Sequence, residues 1–445
     1  MSLSKTNVIA VVLVMLTVLA VSAKAYGQAE LMGTWRGEVV RSGYVWNVEL
    51  RLKADRAEIS FPDWGMFRLR TKDVAVSDKT VSFKILWLGR SMAAELKNGT
   101  LDVNWNNGEG SGKMYRSSSD PGFFEEEPVA VRSFDGAELR GTLFFPKQKG
   151  PFRALVLTHG SGPDTRSSGP YISKAMLAVE SGLAVLAYDK RGAGMSKGKG
   201  AYKIENLSAD AHAMVSFLRK HPRIRHDGIG IGGISQGAWV APKVAYEDPE
   251  VAFVFVTATP GVSPAEQNVY SLETRFRAAG ETPEKTEFAK RALRILYEYY
   301  RTGDTKYRAE AVRLINDPRY KLGENEIFKR LMFTFGEDIA KTVDVKDWAT
   351  MFVDPLMWWR EIRVPVVSFS GADDINVPTS YSNAVITAAL TDAGNREFEL
   401  HLFPGAGHGL TAEDGPEGDW PRMAPGYVPM MADWFRRMAE AGSKE

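Results

Sequence analysis

The chain of 445 residues contains no cysteine, which excludes disulfides, thiolate nucleophiles and sulfur-ligated zinc. It has little excess charge. Lys and Arg number 56 against 55 Asp and Glu, so a formal charge of +1 supplies no basic field for nucleic acid phosphates. Nor is there an apolar run of the ~20 residues that span a bilayer. The longest candidate, Val8 to Val21, follows Lys5 and precedes the small residues Ala23-Lys24-Ala25, the pattern of a secretory signal. With no cysteine for lipid attachment near that site, the expectation is a periplasmic or secreted protein with no integral membrane span after cleavage. Histidines number six, and no pair shows metalloprotease spacing, so chemistry without metal or cofactor is the first expectation. The sequence leaves a homo-oligomer open.

What is present, 44% apolar and 11% aromatic residues, is enough for large globular cores. From Gly33 to about Tyr115 short runs alternate apolar and polar residues, as in Tyr44-Val45-Trp46-Asn47-Val48-Glu49-Leu50. That period of two means strands, and Asn98-Gly99 and Asn107-Gly108 are hairpin-type turns. Residues 26–120 therefore read as a small all-β barrel or sandwich domain. It holds five of the eleven tryptophans, Trp35, Trp46, Trp64, Trp87 and Trp105. They serve either as an aromatic core or as a sugar- or aryl-binding face. Ser117 to Gly122 is a polar, turn-rich linker.

Residues 121–445 change pattern. Apolar strands at Ala154 to Thr158, Leu183 to Tyr188, Gly228 to Ile234 and Val251 to Thr257 alternate with helical segments, which implies a mostly parallel sheet covered on both faces. The alternation stops over about 262–361, where amphipathic stretches such as Glu284 to Thr302 predict a helical lid insertion. It resumes with Val364 to Ser370 and Phe398 to Phe403. Two tight turns open and close this region's chemistry.

Gly233-Ile234-Ser235-Gln236-Gly237 lies between a strand and a helix, the setting of a nucleophile elbow. A serine hydroxyl is a weak nucleophile and needs a base beside it. Among His159, His212, His221, His226, His401 and His408, only His408 sits in a loop directly after the last strand, where an imidazole reaches over the sheet's carboxyl edge. His212 and His401 fall within regular elements, and His221 and His226 flank a basic turn expected to be solvated. A carboxylate must orient the imidazole, and either Asp373 or Asp374, after the strand ending at Ser370, can do so. An oxyanion site is expected from the Gln236 N–H and the Ser161 N–H in His159-Gly160-Ser161-Gly162-Pro163, with His159 orienting that loop.

These segments, with Tyr188-Asp189-Lys190-Arg191-Gly192-Ala193-Gly194-Met195-Ser196, resemble an α/β-hydrolase of the serine esterase and serine aminopeptidase kind. Asp354-Pro355 is similar to bacterial esterases with a helical lid and a β-rich leading domain. The resemblance implies an α/β-hydrolase fold, hydrolysis of a small-molecule carboxylic ester without cofactor, and the triad order Ser235, Asp374, His408. It selects Asp374 because two residues separate it from Val377-Pro378. Asp189 and Arg191 are implied to brace the strand end. In the lid, Tyr297, Tyr299, Tyr300, Trp348, Phe352, Trp358 and Trp359 either line a pocket or pack the insertion. An aminopeptidase would need a carboxylate for the substrate amine, for which Glu298 and Asp347 are candidates. A non-catalytic polymer-binding protein that uses the β-domain is the alternative from another class.

Overall fold

The computed structural model describes residues 28–41, 43–119, 122–332, 345–412 and 422–442. The signal-like stretch from Lys5 to Ala25 lies outside these. The described residues divide into two compact units, one made of those up to 125 together with 167–177, the other of the remainder.

In the first unit eight antiparallel strands, β1 (Gly33–Arg41), β2 (Tyr44–Leu52), β3 (Ala57–Phe61), β4 (Met66–Ser77), β5 (Thr80–Ile85), β6 (Ser91–Lys97), β7 (Thr100–Trp105) and β8 (Gly110–Arg116), close into a barrel. Closure comes from β8 pairing back onto β1, Trp35 opposite Arg116 and Arg41 opposite Gly110. Pairing every strand removes the exposed edges an open sheet would carry. Alternation sends Val81, Phe83 and Ile85 inward and leaves Ser82 and Lys84 outside. Four of the five tryptophans are buried, and Phe61 meets Trp64 and Trp105 edge-on at ring separations of 5.6 Å. These aromatics fill the barrel. Trp87 alone of the five is substantially exposed.

The second unit holds an eight-stranded sheet. Its strands are β9 (Glu125–Arg132), β10 (Glu138–Phe145), β11 (Phe152–Thr158), β12 (Ala184–Tyr188), β13 (Ile224–Ile234), β14 (Val254–Thr257), β15 (Val366–Gly371) and β16 (Phe398–Phe403). They lie in the order β16-β15-β14-β13-β11-β12-β10-β9. The six strands from β16 to β12 run parallel, and β10 joins β12 antiparallel. In chain order, helix α1 (Gly169–Glu180), most of which belongs to the first unit, α2 (Ile204–Arg219) and α3 (Gly237–Glu247) follow β11, β12 and β13.

The alternation around β14 explains the two-sided cover. Val254 and Val256 join a core with Leu207, Met214 and Leu218 of α2 and with Val240 and Val244 of α3. On the opposite face Phe253 and Phe255 pack on Trp434 of the last helix. Each such fully buried side chain contributes ~1.5–3 kcal/mol of transfer free energy.

After β14 the chain leaves the sheet for α4 (Pro264–Ala278), α5 (Pro283–Thr302), α6 (Thr305–Ile315), α7 (Glu326–Met332), a 3₁₀ stretch at Val345–Phe352 and the short α8 (Leu356–Trp359). Ser263 and Thr282 cap α4 and α5 by accepting from Glu266 N and Lys285 N, each with proline at the first helical position. Leu272, Phe276, Leu293, Leu296 and Phe328 form a core belonging to this insertion. The chain then returns through β15, α9 (Thr379–Asp392), β16 and α10 (Tyr427–Glu440). No described helix is long and apolar enough to cross a membrane.

Candidate active site

Parallel strands bring distant loops to one rim. Ser235 follows β13, Asp374 follows β15, His408 follows β16, the His159–Ser161 loop follows β11 and Lys190 follows β12.

The turn at Ser235 is held by steric necessity. Ser235 has φ +54°, a left-handed conformation that costs a non-glycine residue ~1–3 kcal/mol. Its N–H donates to Thr257 O (3.0 Å) and its carbonyl accepts from Ala238 N (2.8 Å). A Cβ on Gly233 would lie 1.9 Å from the Gly237 oxygen, and one on Gly237 would lie 2.6 Å from Thr158 Oγ1. Only glycine fits at both ends of this turn.

His408 Nε2 lies 3.1 Å from Ser235 Oγ, and its Nδ1 lies 2.7 Å from Asp374 Oδ2. With Asp374 an acceptor, Nδ1 carries the proton and donates, which leaves Nε2 to accept from the serine hydroxyl. The Asp374 side chain is fully buried, whereas that of His408 is 31% exposed. The other oxygen of Asp374 accepts from Asn376 N (2.7 Å) and Val377 N (3.0 Å). Asp373 faces outward, and its N–H ties the acid loop to the histidine loop through Ala406 O (3.0 Å). Helix α4 secures the acid loop from the other side. Tyr270 Oη donates to Asp374 O (3.0 Å), Thr274 Oγ1 to Ile375 O (2.8 Å) and Arg275 to Asn376 Oδ1.

A cavity of about 730 Å³ opens onto this rim, lined by Ser161, Ser235, Gln236 and His408 on the sheet side. Across from them stand Asn268, Ser271, Arg275, Glu326, Ile327, Arg330, Leu331 and Met351 of the insertion. The Ser161 and Gln236 N–H groups make no hydrogen bond among the described residues. His159, behind that loop, donates from Nε2 to Tyr188 O (2.6 Å), and burial pushes its pKa down to about 3, so it is neutral.

Lys190 is the residue that sequence reasoning passed over. Its buried ammonium donates to Gly160 O (2.7 Å), Gly162 O (3.3 Å) and Gln236 Oε1 (2.8 Å). Burial lowers its pKa to about 8, with Asp164 opposing the shift. The signal was visible as a lysine directly after an apolar strand, flanked by Asp189 and Arg191. Those neighbours brace the fold. Arg191 binds Asp210 and Asp135, both at 2.6 Å, and Asp189 accepts from Arg166 N and Met195 N.

One further expectation needs correction. His221 is not solvated, because its side chain is only 9% exposed and packs against Phe145 and Phe217. His212 and His401 make local contacts with Glu247 and Glu399. Of the two roles open to the insertion's aromatics, the described ones take packing. Tyr297, Tyr299 and Tyr300 join the insertion core, with Phe352 packed against it, and Trp358 and Trp359 join the sheet core. The side chains of Trp348 and Asp347 lie outside the description. Glu298 pairs with Arg301 away from the cavity. Among the described residues no group of three or more His, Asp or Glu is placed to hold a metal ion.

Comparison with known proteins adds a family likeness. A family profile described as serine aminopeptidase, S33, matches residues 149–324. The polyketide transferase ATR5 of Stachybotrys chlorohalonatus is 33% identical over 136 residues, 30% of this chain and 44% of its own. The thiohydrolase aneE of Aspergillus aculeatus is 29% identical over 143 residues, 32% of this chain and 43% of its own. The esterase EstD of Thermotoga maritima is 29% identical over 154 residues, 33% of this chain and 35% of its own. The chain thus spans less than half the length of these three relatives.

Proposed function

We propose that this chain, which carries the α/β-hydrolase fold, is a serine hydrolase that cleaves carboxylic esters through an acyl-enzyme. The observation that carries the reading is the hydrogen-bonded line from Ser235 Oγ through His408 to buried Asp374 at 3.1 and 2.7 Å. His408 Nε2 takes the hydroxyl proton as Oγ attacks the ester carbonyl, and Asp374 stabilises the imidazolium that forms. The oxyanion is received by the N–H groups of Ser161 and Gln236. His408 then gives its proton to the departing alcohol. Water, deprotonated by the same imidazole, releases the acid from Ser235.

Lys190 acts behind this step as a positioning residue. The Gly160 carbonyl that accepts from its ammonium belongs to the same peptide group as the Ser161 N–H. A cation on the oxygen end of that dipole strengthens donation from the nitrogen end. Its bond to the Gln236 side chain steadies the residue that supplies the second donor.

The family likeness brings forward a second reading, a serine aminopeptidase on the same triad. Such an enzyme must hold a substrate ammonium, yet the described cavity offers the single carboxylate Glu326 against Arg275 and Arg330. Rates on p-nitrophenyl butyrate and leucine p-nitroanilide separate the two readings. Ester turnover is expected to dominate and to fall about 10⁴-fold in Ser235→Ala with the fold unchanged. Unchanged turnover in that variant would remove Ser235 from the chemistry, and faster amide cleavage would favour the peptidase.

A further inference from the structure

The insertion wall of the cavity carries an amide that is anchored at one edge and open at the other. Asn268 on α4 lines the cavity, yet it is only 8% exposed. Its Nδ2 donates to Tyr297 Oη (2.9 Å), a phenol of the insertion core. Burial pushes the pKa of that phenol up, so it stays protonated and neutral. Asn268 Oδ1 accepts no hydrogen bond among the described residues. Gln267 Oε1, one position earlier, is shut away from solvent without a partner, whereas Asn268 Oδ1 is not shut away. The open edge of the amide therefore meets the cavity, offering an acceptor at Oδ1 and the second proton of Nδ2.

Ser271 stands three residues on, on the same face of α4, and is 4% exposed. Its Oγ accepts from Arg275 Nε (3.1 Å), which leaves the hydroxyl proton to be donated. Apolar side chains share the cavity with this pair, among them Trp239, Pro264, Ile327 and Met351. A ligand that fills such a space strips water from both polar groups, at a cost in free energy unless it brings hydrogen bonds of its own. A hydroxyl both donates and accepts, so it suits Asn268 Oδ1 and the Ser271 proton together. A methyl group of similar size suits neither.

We propose that the cavity selects esters whose non-reacting part carries a hydroxyl group, which Asn268 and Ser271 hold while Ser235 attacks the ester carbonyl. This rests on Ser235 being the nucleophile. It adds what the triad does not specify, the polarity of the substrate beyond its ester bond.

The test uses two pairs of esters, each matched in shape and differing in hydroxyl groups. On the alcohol side methyl 6-O-acetyl-glucopyranoside is set against cyclohexylmethyl acetate, and on the acyl side p-nitrophenyl 6-hydroxyhexanoate against p-nitrophenyl heptanoate. Each kcat/KM is divided by the rate of alkaline hydrolysis of the same ester. In at least one pair the hydroxylated ester is expected to lead by about tenfold, and that pair names the side of the ester that meets α4. In Asn268→Leu the ratio for that pair is expected to fall to about one, and in Ser271→Ala by about threefold. Because Asn268→Leu leaves the Tyr297 hydroxyl without its donor, the double variant Asn268→Leu, Tyr297→Phe is measured beside it and should show the same ratio. Ratios at or below one in both pairs, or a ratio that survives Asn268→Leu and the double variant, would overturn the hydroxyl preference while leaving the nucleophile intact. Turnover of none of the four esters would overturn both readings.

Discussion

On the sheet side of the cavity, each candidate group is set within five residues of a strand end: Ser235 after Ile234, Asp374 after Gly371 and His408 after Phe403. On the insertion side, Asn268 and Arg275 of α4, Arg330 of α7 and Met351 of the 3₁₀ stretch come from three helical segments that share a core of their own. The first wall is fixed by backbone hydrogen bonds and close contacts that admit few side chains. The second is fixed by helix packing, which tolerates exchange of apolar residues of similar volume. In the proposed mechanism the reaction chemistry sits on the rigid wall, facing the adaptable one.

The sharpest way to break this contrast is at the elbow. Gly233→Ala puts a Cβ 1.9 Å from the Gly237 oxygen, so ester turnover should be lost and stability should drop by about 2 kcal/mol or more. Calorimetry and initial rates check both. A variant that kept its activity would show the rigid wall to be softer than described.

Lys190→Met gives the next largest effect, a fall in kcat of about 10–100-fold with KM little changed. The burial that lowers its pKa to about 8 also sets a pH signature. As pH rises through 8 the ammonium loses its proton, and kcat should decline toward the variant's level; the variant itself should lack this limb. Between about 8 and the ordinary lysine value the unfolded chain binds more protons than the folded one. This group therefore contributes stability that rises with pH there, so the lost rate is not denaturation. His159 and Asp164 are the charged or titratable groups whose fields bear on Lys190. An identical pH profile in the variant would remove the polarising role.

The smallest effect belongs to the adaptable wall. Thr274→Val removes the bond from α4 to Ile375 O (2.8 Å) but leaves those of Tyr270 and Arg275 to the same loop. A change in kcat of no more than about threefold is expected, because one neutral hydrogen bond is worth ~0.5–1.5 kcal/mol. A hundredfold loss would mean that α4 belongs with the rigid wall.

The same contrast explains what was legible beforehand. Period-two strands, βαβ alternation and the interruption after Pro260 were readable because each is a local pattern with one structural outcome. Ser235 and His408 stood out as candidates because each lies in a glycine-rich turn after a strand, whereas the residues alone left Asp373 and Asp374 open and the resemblance chose between them. Lys190 was hidden because its partners, Gly160, Gly162 and Gln236, lie far away in sequence, and nothing in its neighbours indicates which carbonyls it meets. The cavity-facing residues of the insertion were hidden for a related reason. An amphipathic helix reveals that it has a buried face, but not whether that face meets other helices or a cavity, and Tyr297 and Tyr300 went to the core.

In the proposed mechanism His408 activates Ser235 at this rim. Incubation with a fluorophosphonate, followed by mass mapping of the adduct, tests it most directly. One phosphonyl group on Ser235 is expected in the unmodified chain, and almost none over the same time in His408→Ala. Labelling spread over other serines, or labelling of Ser235 at an equal rate in both proteins, would contradict the account.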